Sequence, residues 1–401
     1  MKRRILALLL VFAMFAALMT GCASGKQETA ANDTAQTEQT APEQTAESAA
    51  EETEAAEETA EPAEEAATEA ETLVFTDSLG REVELPKDIT RIAPSGAVAT
   101  MILAAIAPEC MVTVNATPSE SQMAFLPANL ASLPETGQMY GGKANLNLET
   151  LLAADPQVVI DLGDKKGDMT EDLDALQAQI GIPVVFIEAD LAHMAAAFRT
   201  LGGLLSGKSD RGEELAALVD RTTAIAEENA AKITDDMRVR VMYTTGEDGL
   251  GTNAAGSIQA QVLDMVGVEN AVVVEDVSNK GGGNIISLEQ LYNFDPDVIL
   301  FADGSIYDTV ADDSAWSQLT AISTGKYYEV PGSPYSWLSG PPSMNMILGV
   351  WWLGNLIYPE VYDYDMAEMT QELYKTLWGY ELSSEEVTAL LGNSTLKAAA
   401  Q

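Results

Sequence analysis

The chain has 401 residues, with 62 Asp and Glu against 21 Lys and Arg, for a net charge of −41. A field of that sign excludes nucleic acid and anionic lipid surfaces as partners. One His and two Cys exclude multi-histidine and cysteine-rich metal sites.

Lys2, Arg3 and Arg4 precede an unbroken apolar run, Ile5 to Met19. The run is short for a membrane span and suits a secretory signal. It ends at Met19-Thr20-Gly21-Cys22. That ending resembles the bacterial lipobox, with Met19 where Leu is usual. Residues 1–22 therefore read as a lipoprotein signal peptide, with Cys22 as the lipidated residue. Residues 23–71 follow as a tether. From Lys26 to Glu71 there is one Lys against fifteen acids, and no aromatic, Leu, Ile, Val, Met or Gly. Such a segment buries no apolar surface, so it is expected to be disordered and extended.

About 330 residues remain, enough for two domains. They keep 47 acids (62 − 15) and 17 bases (21 − 4). Leu73–Asp77 and Arg81–Leu85 flank Ser78-Leu79-Gly80 and predict a hairpin. Arg91–Ala93 reads as a strand, Ala97–Ala107 as an apolar helix, and Met111–Asn115 as a second strand. Ala116–Gln138 is mostly loop. Leu148–Ala154, Val158–Ile160, Leu173–Gln179, Ile182–Ile187 and Leu191–Leu205 alternate helix and strand. That alternation predicts a layered α/β lobe, residues 72–207, with a largely parallel sheet. Lys208–Ile233 is an uninterrupted amphipathic rod with Leu215, Ala216, Leu218, Val219 and Ile225 on its apolar side, and Ser209 or Asp210 as its cap. Residues 234–401 predict a second α/β lobe, with strands at Arg238–Tyr243 and Val298–Phe301 and helices at Ser257–Val266, Ser343–Tyr358 and Asp365–Trp378.

The two halves repeat one pattern. At a constant offset of 140, Leu148, Glu149, Leu151, Asp155, Pro156 and Val158 match Leu288, Glu289, Leu291, Asp295, Pro296 and Val298. Glycine pairs Gly141-Gly142 and Gly281-Gly282 precede the two copies.

No residue set points to catalysis. His193, the only imidazole, reads as a solvent-facing helix residue, and no serine has a base to activate it. No metal ligand set and no cofactor is assigned. The loops after strands in such a fold are where ligands bind. They put forward Ser95, Gly96, Tyr140, Lys143, Lys165, Thr245, Asn253, Asn284, Tyr335 and Trp337. Glycines there free backbone N–H groups. Tyr140, Tyr335 and Trp337 offer stacking faces for a flat chelate or macrocycle. Lys143, Lys165 and Lys166 are scarce cations in an acidic body.

From Thr72 to about Gly392 the chain resembles the helical-backbone family of solute-binding proteins of bacterial ABC importers. Three elements carry the resemblance: Thr76-Asp77-Ser78-Leu79-Gly80-Arg81 through Pro86; the repeated Leu-Glu…Asp-Pro-x-Val; and Trp316…Ala321-Ile322…Gly325-Lys326-Tyr327-Tyr328. Pro334–Ser343 with Leu348–Leu353 looks like members for iron, nickel-chelate or molybdate-type cargo. The resemblance implies two Rossmann-like lobes joined by one long backbone helix, with the ligand cleft between them. It implies a lipid-anchored monomer on the outer face of the bacterial plasma membrane. That monomer would pass a metal complex of the iron–siderophore, haem or cobalamin type to an ABC permease and its ATPase. It implies that Glu149 and Glu289, one per lobe, dock the permease. The alternatives are a molybdate or tungstate oxyanion or a nickel chelate as cargo, and a surface sensor lipoprotein without transport.

Overall fold

The computed structural model describes residues 71–139, 144–167 and 169–394. The signal segment with Cys22, the tether up to residue 70, and Tyr140 and Lys143 lie outside the described residues.

The body opens on the hairpin β1 (Thr72–Thr76) and β2 (Glu82–Pro86), paired antiparallel. Asp77 shapes its turn by accepting from the backbone N–H groups of Leu79 and Arg81. The Arg81 guanidinium pairs with Asp77 at 2.9 Å and donates to the Val184 carbonyl at 3.0 Å, which ties the hairpin to the lobe. Then come β3 (Ile92–Pro94), α1 (Ala97–Ile106), the single turn α2 (Glu120–Met123), α3 (Leu148–Ala153), β4 (Val158–Gly163), α4 (Met169–Ile180), β5 (Val184–Glu188) and α5 (Met194–Leu204). β3, β4 and β5 form a parallel sheet in that order. The strand expected at Met111–Asn115 does not form. Its only ladder contacts are isolated bridges, Ile92 to Met111 and Val114 to Glu135.

α6 (Ser209–Ala230) is the rod. Its 22 residues span roughly 33 Å at ~1.5 Å per residue. Leu215, Ala216, Leu218, Val219 and Ala226 are buried along it, while Ile225 is only partly buried. No side chain caps its start, because Lys208 occupies the position expected for Ser209 or Asp210. α5 packs against α6 closely enough that a Cβ on Gly212 would sit 2.6 Å from the Phe198 carbonyl oxygen.

The second half runs β6 (Arg240–Thr245), β7 (Gly251–Thr252), α7 (Gln261–Val266), β8 (Glu269–Asn270), β9 (Asn284–Ile285), α8 (Leu288–Phe294), β10 (Val298–Phe301), the turn α9 (Thr320–Ser323), β11 (Tyr327–Glu329), α10 (Met346–Ile357), α11 (Met366–Trp378) and α12 (Ser384–Leu391). The sheet order is β11-β10-β6-β7-β9, with β8 beside β6. β8, β6, β10 and β11 are parallel, whereas β7 pairs antiparallel with both β6 and β9. The second sheet is mixed because the glycine-rich turn after Thr245 sends the chain back along β6.

The repeat is visible in the backbone. α3–β4 and α8–β10 are equivalent, and each helix is followed within two residues by an Asp with positive φ, 49° at Asp155 and 31° at Asp295. A residue before proline is pushed out of the right-handed helical region, and Asp tolerates the left-handed one. The main core is continuous through α1, α5, α6, α7, α10 and α11. Smaller cores lie against the outer faces of the two sheets, around Phe301 and Trp316 in one and Val159 and Phe186 in the other. Among the described residues no helix is long and apolar enough to cross a membrane.

Candidate functional site

The ends of the strands in the first lobe are polar and partly unsatisfied. β3 runs into Ser95, whose hydroxyl donates to the Asp161 carboxylate, and both residues are buried. Asp161 is the one polar side chain inside the apolar run of β4. Its second oxygen, Oδ2, has no hydrogen-bond partner. Burial pushes its carboxyl up to about 6, against the opposing pull of the Ser95 hydroxyl and the Lys166 charge. Gly96 starts α1 and lies against Gln138. Lys165 sits exposed in the turn after β4.

Beyond β4 and β5, Asp164, Glu188, Asp190 and His193 gather. Burial raises the Asp164 carboxyl; Lys166 counters this, and the charges of Asp190 and Glu188 add to it. His193 Nδ1 lies 2.6 Å from Asp190 Oδ1. The imidazole pKa is raised mainly by that hydrogen bond.

In the second lobe Thr245 ends β6, its hydroxyl 3.4 Å from the Gly282 carbonyl. Asn253 and Asn284 are scaffold rather than free ligand donors. Asn253 is buried, with its carboxamide nitrogen 3.5 Å from the Gln259 carbonyl. Asn284 accepts from the Ser278 N–H at 3.0 Å and donates to the Asp276 carbonyl at 2.7 Å, which holds the 276–284 loop closed on itself. A cavity of about 430 Å³ beside Asn284 is lined only by residues 273–294, so it is not an interlobe cleft.

The loop after β11 separates its two aromatics. Trp337 is fully buried, its N–H reaching the Ser333 carbonyl at 3.4 Å and its ring 6.4 Å from that of Tyr374. The expected stacking face is therefore a packing plug in this structure. Tyr335 is only partly buried. Burial pushes its hydroxyl up to about 12, and no hydrogen bond satisfies it among the described residues. Nearby, Ser336 lies 3.4 Å from the Tyr243 hydroxyl.

Glu149 and Glu289 are exposed in the first turns of α3 and α8. Asn147 and Ser287 cap those helices. Neither glutamate takes part in a hydrogen bond or ion pair among the described residues, so each carboxylate is left to solvent.

Sequence reasoning missed Asp161, Glu188 and Asp190. A signal existed for Asp161: a lone acid in Val-Val-Ile-Asp-Leu-Gly is out of place in a strand buried on both faces.

A family model described as periplasmic binding protein matches residues 95–334, more than half of the chain. No curated protein sequence matches. Among solved structures, an ABC transporter solute-binding protein from Sulfurospirillum deleyianum is 29% identical, covers 80% of this chain and 99% of its own, and superposes with a TM-score of 0.73. The molybdate-bound periplasmic protein MolA of Haemophilus influenzae is 21% identical, covers 78% and 99%, and gives 0.63. CeuE of Helicobacter pylori, solved with nickel–histidine, is 14% identical, covers 79% and 98%, and gives 0.57. The matched span, the two lobes and the long helix between them agree: this chain belongs to the periplasmic binding protein family, as a solute-binding protein of an ABC transporter and not an enzyme.

Proposed function

We propose that this protein captures a metal complex of the iron–siderophore, haem or cobalamin type and delivers it to its ABC permease. In this reading Cys22 carries the lipid that holds it to the outer face of the plasma membrane, and residues 23–71 are the tether. Glu149 and Glu289 dock the permease, one from each lobe. Tyr335 is the observation that carries the cargo reading. A partly buried ring with an unsatisfied hydroxyl, on a loop at a strand end, combines an apolar face with one hydrogen-bond donor. Ser95, Gly96, Lys165 and Thr245 stand at the other strand ends and complete the proposed lining.

The test is native mass spectrometry of the purified protein against ferric siderophores, haem, cobalamin, nickel–histidine and molybdate. A metal complex should be retained, and Tyr335→Phe should weaken it roughly five- to tenfold, the scale of one hydrogen bond. Retention of molybdate alone would overturn the reading.

A further inference from the structure

We propose that Glu188, Asp190 and His193 form a binding site for a divalent first-row transition-metal cation at the end of β5. One ligand-type atom from each of the three lies within 4.8 Å of the other two. Ligands at ~2.0–2.2 Å from a metal sit about 3–4 Å from one another. The set therefore closes on an ion with a small rotation of the exposed imidazole.

The backbone fixes two of the three residues. Glu188 pairs with Gly163 across the sheet, and its N–H donates to Ser78 at 2.9 Å. Asp190 accepts the His193 N–H at 2.8 Å, which holds the ring beside the carboxylate. The Glu188 carboxylate has no hydrogen bond or ion pair among the described residues, although it is partly buried.

A second observation comes from deeper in the sheet. Asp161 pairs with Phe186, two residues before Glu188 on the neighbouring strand. Side chains two apart share a face, so the orphaned Oδ2 of Asp161 lies on the Glu188 face, its Cα about 8 Å away by strand geometry. Asp164 adds a third half-buried carboxylate at the same edge. Several carboxylates partly withdrawn from water beside the single nearby charge of Lys166 are costly, and a bound cation relieves that cost. Two oxygens and one imidazole nitrogen suit manganese, cobalt, nickel or zinc rather than calcium. Three protein ligands leave coordination positions open to water or to a donor atom of a bound solute. The site stands independently of which solute the protein carries.

The chain has a single His, so every imidazole signal in the full-length protein belongs to His193. Zinc and cobalt chlorides are titrated separately into the full chain while its imidazole proton resonances are followed. Zinc should shift them and cobalt should shift or broaden them. Glu188→Gln should weaken the binding at least tenfold with an unchanged circular dichroism spectrum. His193→Gln gives the same readout by calorimetry if Glu188→Gln does not fold. Imidazole resonances that stay in place at a zinc excess saturating the acidic tether would overturn the site. So would equal affinity in the folded variant.

Discussion

Asp161 is an acid placed where its charge is poorly solvated. Burial holds its folded carboxyl at about 6, against ~3.9 for an exposed Asp. Between those values the folded chain keeps a proton that the unfolded chain has lost. Stability should therefore fall as pH rises from about 4 to about 6, by an amount on the order of 3 kcal/mol, and stay lowered above that window. Asp161→Asn should remove the dependence, so the variant gains on the parent between pH 4.5 and pH 7. Urea melts at the two pH values measure this. A variant equally destabilised at both would show a well-compensated carboxylate. Residue roles were only partly legible in the sequence. Tyr335 and Trp337 stand two apart in one loop and read alike. Part of the difference comes from Tyr374, on a helix nearly forty residues later, whose ring lies 6.4 Å from that of Trp337. Nothing local to the loop encodes that contact.

At the scale of elements the repeat carries the most information. Spacing alone located α3–β4 and α8–β10, because Leu-Glu at a capped helix start and Asp-Pro at its end are local signals. The strand expected at Met111–Asn115 fails for a non-local reason: its neighbours offer single bridges and no ladder. α12 went unread although Ser383 and Glu386 form a capping box at its start, a pattern visible in Ser-Ser-Glu-Glu. The matched placement of Glu149 and Glu289 leads to a test of docking. A carboxylate in a helix's first turn is favoured by the helix dipole, and an unpaired one is free to meet a cation on a partner. Reversing both, Glu149→Lys with Glu289→Lys, should leave solute affinity intact and abolish uptake in reconstituted vesicles. The charge pairs would set encounter and orientation rather than cargo binding. Uptake that survives the double reversal would sink the docking role.

For the molecule as a whole, the two sheets share one main core besides the smaller core that each keeps to itself. Arg211, at the start of α6, donates to the Ala105 carbonyl in the last turn of α1 at 3.0 and 2.9 Å and to the Leu377 carbonyl of α11 at 3.1 Å. The Trp351 indole of α10 donates to Thr222 of α6 at 2.8 Å. The C-terminal helices thus grip the rod and the first lobe together. A wide hinge motion would have to break close-packed core contacts, which behave as discrete arrangements and do not flex continuously. The radius of gyration, measured by small-angle scattering, should change little on saturation with solute. A contraction of hinge-closure size would contradict this. The grip of Arg211 has a further consequence at the membrane. If the empty and loaded proteins share one outline, the permease cannot select between them by shape. Unloaded copies then compete for the same berth. Delivery becomes a question of stoichiometry: beyond a certain abundance, a scavenger short of cargo obstructs the transporter it serves.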